Sequence, residues 1–68
     1  MYELRIEWAD RNGIQERSES FASKDKAKAR VEELTLLFWK RDYDFLIEVK
    51  GVIRSQSDGY GNYVMTEL

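Results

Sequence analysis

The stretch Ala27-Lys28-Ala29-Arg30-Val31-Glu32-Glu33-Leu34-Thr35-Leu36-Leu37-Phe38-Trp39-Lys40 decides the fold. It contains no Gly or Pro and is rich in helix formers. At about 100° per residue, a helix sets Ala27, Val31, Leu34 and Phe38 along one stripe, which calls for an apolar sheet beneath it. The same winding places Leu36 almost diametrically opposite and Trp39 well off to the side. Ala29 also lies away from the stripe, and Leu37 flanks it. One sheet cannot cover both sides, so the helix carries more apolar surface than a two-layer fold hides. Ser23 is the expected N-cap. The helix is expected to end near Lys40 or Arg41, although Arg41-Asp42-Tyr43-Asp44 offers no Gly to stop it.

Upstream, Tyr2 to Ala9 alternates cleanly, with Tyr2, Leu4, Ile6 and Trp8 on one face and Glu3, Arg5 and Glu7 on the other, as in a half-buried strand. Asp10-Arg11-Asn12-Gly13 supplies turn chemistry. A three-residue loop with Gly13 as a bulge sets Asp10 opposite Ile14, and so pairs Glu7 with Arg17 and Arg5 with Glu19. The competing Asn-Gly loop sets Ile6 against Glu19 and Trp8 against Arg17 on the apolar face, so the bulged register is the expectation. It gives the second strand an inner face of Ile14, Glu16, Ser18 and Ser20 with Phe21 outward, the polar character of an edge strand.

Downstream, Asp44 to about Gln56 reads as one strand with Phe45, Ile47 and Val49 on one face. Gly51 marks a bulge or bend that leaves open which of Val52 and Ile53 points inward. Ser57 to Asn62 reads as a loop, and Tyr63 to Glu67 as a short closing strand. The chain is thus expected to be a single α+β domain over residues 1–68. Its order is β-β-α-β-β, a four-stranded, mostly antiparallel sheet with one helix packed on one face.

Composition removes most chemistry. The 68 residues include no Cys and no His, so disulfide frameworks, thiolate zinc sites, thiol nucleophiles and imidazole-based triads are all excluded. No enzymatic activity, cofactor, metal or small-molecule substrate is expected. Eleven basic and thirteen acidic residues leave a formal charge of −2, which argues against a dominant pull toward nucleic acid. The opening Met1-Tyr2-Glu3-Leu4-Arg5 alternates like a strand and shows no leader pattern, and no apolar run reaches membrane-spanning length. A cytoplasmic location without membrane contact is expected.

The spare apolar surface is the main functional signal. Trp39 suits an anchor and Leu36 widens an apolar centre, with Ala29 beside them and Lys28, Glu32 and Lys40 as polar rim. A symmetric homodimer, or another protein partner, uses such a patch. The alternative is that the last strand, a loop or a distorted last helical turn folds over Trp39. A second cluster, Lys24, Lys26, Lys28 and Arg30, crowds the helix start against the local dipole field, where a phosphate could bind. Ordinary pairs such as Lys28 with Glu32 also account for it.

Nucleic-acid contact through the open sheet face draws on Arg5, Arg17, Lys50 and Arg54 with Tyr60 and Tyr63. Glu3, Glu7, Glu19 and Glu48 would share much of that surface and repel phosphate. Asp42, Asp44 and Glu48 lack EF-hand spacing, and Asp58-Gly59-Tyr60-Gly61 reads as a hairpin turn rather than a phosphate loop. In size and layout the chain is similar to many small proteins encoded by bacteriophages and mobile elements, a likeness that implies binding to another protein and assigns no residue. A non-enzymatic protein-binding module is therefore expected. A nucleic-acid-associated protein is the alternative.

Overall fold

In the computed structural model, which describes residues 1–68, the long helix runs as foreseen and the sheet has five strands rather than four. The elements in order are β1 (Tyr2–Asp10), β2 (Gly13–Phe21), α1 (Lys24–Lys40), β3 (Asp44–Val49), β4 (Val52–Ser57) and β5 (Tyr63–Met65). The sheet order is β2-β1-β3-β4-β5, with every neighbouring pair antiparallel. β2 and β3 both flank β1 and so run parallel to each other, and α1 is the crossover that carries the chain past β1.

The extra strand comes from Lys50 and Gly51. Both have positive φ, 53° and 80°, as a two-residue type I′ hairpin turn requires. What reads as one interrupted strand from Asp44 to Gln56 is therefore two strands folded back on each other. The bulge exists but lies further on. Ile47 pairs with Ser55 and Glu48 with Ile53, leaving Arg54 as the additional residue. Val52 consequently shares the helix-side face with its partner Val49, and Ile53 shares the opposite face with Glu48.

The first hairpin also differs from expectation. Asp10 pairs with Gly13 rather than Ile14, so Arg11 and Asn12 alone form the loop, and Glu7 faces Glu16 while Arg5 faces Ser18. The Asp10 carboxylate accepts a bond from the Asn12 backbone N–H at 2.8 Å, and the positive φ falls on Gly13, at 107°. A slip of one residue moves every side chain to the other face. Gln15, Arg17, Glu19 and Phe21 therefore share the helix side with Trp8, Ile6, Leu4 and Tyr2. Phe21 packs against the core, and Ile14, expected inside, is 81% exposed. This register gains an aromatic contact for the core. It also puts two charged residues within reach of the helix.

The core consists of Leu4 and Ile6 from β1, Phe45, Ile47 and Val49 from β3, and the stripe Ala27, Val31, Leu34 and Phe38 from α1. Phe38 is its aromatic centre, stacked on Trp8 with ring centroids 5.3 Å apart and tilted against Phe45 at 5.5 Å. Ser23 caps the helix start by accepting the Lys26 N–H. The other end closes without Gly, because Asp42 takes the left-handed conformation at φ 59°. Backbone bonds from Asp42 N–H to the Trp39 carbonyl and from Tyr43 N–H to that of Phe38 complete the stop. No helix is long and apolar enough to cross a membrane.

One buried polar contact ties α1 to β4. Thr35 Oγ1 lies 2.7 Å from the Val31 carbonyl and 2.7 Å from Ser55 Oγ, and both residues are fully buried. Thr35 donates to the carbonyl, so Ser55 donates to Thr35, and the chain of bonds is complete. Thr35→Val strands the Ser55 hydroxyl and is expected to destabilise the fold by about 1–3 kcal/mol. Adding Ser55→Ala is expected to recover much of that loss. Urea unfolding of the two single variants and the double variant measures both effects.

Candidate functional site

The residues singled out in the sequence lie along α1, and the structure sorts them onto different sides. Ala29, Leu36 and Lys40 follow one another along the outward side, where all three are exposed. Trp39 stands toward β5. Glu32 lies on that flank too, and with Lys28, Val31, Met65 and Leu68 it lines a shallow hollow of about 200 Å³.

Trp39 is only partly covered. Its indole N–H donates to the Gly61 carbonyl at 3.0 Å, and its ring meets Tyr63 edge-on at 5.8 Å. The loop from β4 to β5 is built to hold that carbonyl in place. The Asp58 carboxylate accepts from the backbone N–H groups of Tyr60 and Asn62, at 2.7 and 3.1 Å. Gly59 and Gly61 supply the positive φ values that let the loop turn so tightly. Even so, Trp39 remains 41% exposed, beside Leu36 at 45%, whereas the exposed Leu37 lies on the β2 side of the helix with Arg30 and Arg41. The result is an apolar flank at the C-terminal half of the helix whose aromatic member is held at its edge by the protein's own loop.

The four basic residues of the helix start do not act together. Arg30 turns toward β2 and grips Glu19 through two nitrogens, at 2.8 and 2.9 Å, while also bonding Glu33. Arg17 adds a contact to Glu19 at 3.3 Å. The bonds from Arg30 hold the Glu19 carboxyl below its ordinary range, and Glu19 in turn raises the guanidinium. Lys28 turns to the opposite flank, toward β5. Lys24 and Lys26 are exposed and make no ion pair.

The sheet face away from the helix is acidic, not basic. Register puts Glu3, Arg5, Glu7, Glu16, Asp44 and Glu48 on it. Arg5 is held there by Glu16 at 2.9 Å, Glu48 at 3.1 Å and Glu7 at 3.4 Å, bonds that raise its pKa, Glu48 foremost. Arg17 and Glu19, placed on this face by the sequence reading, lie on the helix side instead. Lys50 sits over the Tyr2 ring, 4.4 Å from its centroid, and Arg54 donates to the Glu67 carbonyl at 2.8 Å. No stripe of cations with aromatics forms there, although Ile14, Ile53 and Val64 leave apolar surface among the acids. The sequence reading missed those three because they depend on hairpin registers. No group of three carboxylates converges in a way that could hold a metal ion.

No protein-family model, curated protein or solved structure matches the chain.

The Glu19 geometry has a signed consequence. A carboxyl lowered in the folded state adds stability that is fully present above its unfolded pKa and disappears as pH falls through the folded value. Glu19→Gln is therefore expected to lower stability at neutral pH and to flatten the loss of stability below the usual carboxylate range. Thermal melts of both proteins across the acid limb give the comparison. Parallel curves, offset equally at every pH, would contradict the assignment.

Proposed function

We propose that the chain is a non-enzymatic binding module that works through protein–protein contact, including association with itself. The observation that carries this reading is the flank formed by Leu36 and Trp39, which stays 41–45% exposed after the molecule has applied its own cover. Trp is the residue type that most often dominates interface energies when seated at a patch centre. Here its indole is already oriented by Gly61 and Tyr63, which lowers the ordering cost of binding. Glu32 and Lys40 give the polar surround that such centres have, with Ala29 nearer the helix start on the outward side. The lack of His and Cys favours binding over catalysis, and in size and layout the chain is similar to small phage and mobile-element proteins that act by binding.

The carboxylates of the outer sheet face, together with the dispersal of the helix-start cations onto two flanks, weigh against nucleic acid as the partner, because phosphate would be repelled from the first and weakly held by the second. Affinity capture with wild type, Leu36→Glu and Trp39→Ala, at low and high salt, tests the proposal. Wild type is expected to retain a protein partner at both salt levels. Trp39→Ala is expected to weaken binding about 30-fold or more, the effect of removing an anchor worth about 2 kcal/mol. Equal recovery by all three proteins, or retention that collapses as salt rises, overturns it.

A further inference from the structure

Two edges end the sheet, and they are unequal. β5 is three residues long, whereas β2 spans nine residues, Gly13–Phe21, and pairs only with β1. Its register against β1 is unbroken along the whole length, and it contains no Pro. A long straight edge of this kind presents unpaired backbone groups that natural proteins normally blunt.

Which groups are free follows from alternation. The Glu3 carbonyl accepts from Lys50 N–H, so odd-numbered residues of β1 turn their backbone toward β3 and even-numbered ones toward β2. Their partners on β2 are odd-numbered. The backbone N–H and C=O groups of Ile14, Glu16, Ser18 and Ser20 therefore point away from the sheet.

We infer that β2 is a pairing edge for a second copy of this chain, with two β2 strands running antiparallel about a two-fold axis at Ser18 and joining two five-stranded sheets into one. The inference deepens the self-association in the reading above and leaves the helix flank to a different partner. Charge complementarity selects the register. For a two-fold pair in which facing residues share a sheet face, one residue must face its own copy across the axis. Among the registers with the longest overlap, centring on Glu16 sets Glu16 against Glu16, centring on Arg17 sets Arg17 against Arg17, and centring on Glu19 sets Glu19 against Glu19. Each places like charges directly opposite.

Centring on Ser18 instead sets Arg17 against Glu19 of the second copy, twice over by symmetry, and Glu16 against Ser20. The same register matches the outward backbone groups, so that Ser18 faces Ser18 and Glu16 faces Ser20 in pairs that exchange both N–H···O bonds. The alternating charges that make β2 look like a protected edge are thus self-complementary in one arrangement.

Because the chain has no Cys, an introduced thiol reports on one position. Facing Ser18 residues would have Cα atoms about 5.5 Å apart, inside the disulfide range. Ser18→Cys is expected to cross-link between copies at least about tenfold faster than Arg11→Cys, a control in the exposed turn, because pairing raises the effective thiol concentration. In sedimentation equilibrium, wild type and Leu36→Glu are expected to dimerise with concentration. Ser18→Pro, which removes an outward N–H that the monomer does not use, is expected to raise the dimer Kd about tenfold or more. Circular dichroism checks that the variant is folded.

A wild type that stays monomeric throughout, or a Ser18→Cys protein that cross-links no faster than the control, overturns the inference. So does a dimer lost with Leu36→Glu and kept with Ser18→Pro, which would put self-association on the helix flank. If Ser18→Pro fails to fold, the cross-linking rate alone decides. Capture of a partner by wild type that is lost with Leu36→Glu is read separately and stands or falls by itself.

Discussion

One helix has to keep water from one face of a sheet about twice its width, and the rest of the molecule is arranged around that mismatch. Five strands spaced about 4.8 Å apart span roughly 19 Å, against about 10 Å for a helix with its side chains. The core accordingly sits under the helix axis, on β1 and β3, and draws nothing fully buried and apolar from β2, β4 or β5. The two margins are closed by other means. On the β2 side Arg30 reaches down to Glu19. On the other side Thr35 meets Ser55, and Trp39 leans on Tyr63 and Gly61. Polar side chains thus serve on the helix-facing surface where apolar ones run out of cover.

That arrangement explains why charge is distributed as it is. Each cation best placed to make an anion site is already engaged within the fold, Arg30 and Arg17 with Glu19 and Arg5 with three carboxylates. The lysines at the helix start are left without such partners, at separate places on the surface. What remains unsatisfied is apolar and backbone surface, which is the currency of protein contact rather than of phosphate recognition.

The helix was legible in the sequence because its signal is redundant. Four stripe residues, a Ser cap and a run free of Gly and Pro agree, so Ala27, Val31, Leu34 and Phe38 are all buried, and Leu36 and Trp39 are half-exposed where the winding puts them. The hairpins were less legible because each turn depends on one dihedral choice. Asp10-Arg11-Asn12-Gly13 supports loops that differ by a single residue, and that residue decides whether Glu16 or Arg17 faces the helix. Lys50-Gly51 lacks the usual Asn-Gly signal, since Lys50 is an uncommon occupant of the left-handed region. Reading it as a bend merged two strands into one. The partial seating of Trp39 depends on Gly61, twenty-two residues away, a contact that no local pattern announces.

The loop between β4 and β5 is fastened to the helix at few points, whereas β4 itself is tied down by the contact of Thr35 with Ser55. β5 is short and edge-lying, and its loop meets α1 chiefly through the indole of Trp39. Segments with so few anchors open at lower free energy than the domain as a whole. The side chain best suited to grip a partner is therefore also a latch on this loop. A protein that grips the indole from the Gly61 side would draw on molecules whose loop has swung away, and one that accepts it in place would stiffen the loop, so occupancy of the flank and order in the β4–β5 loop would be linked quantities.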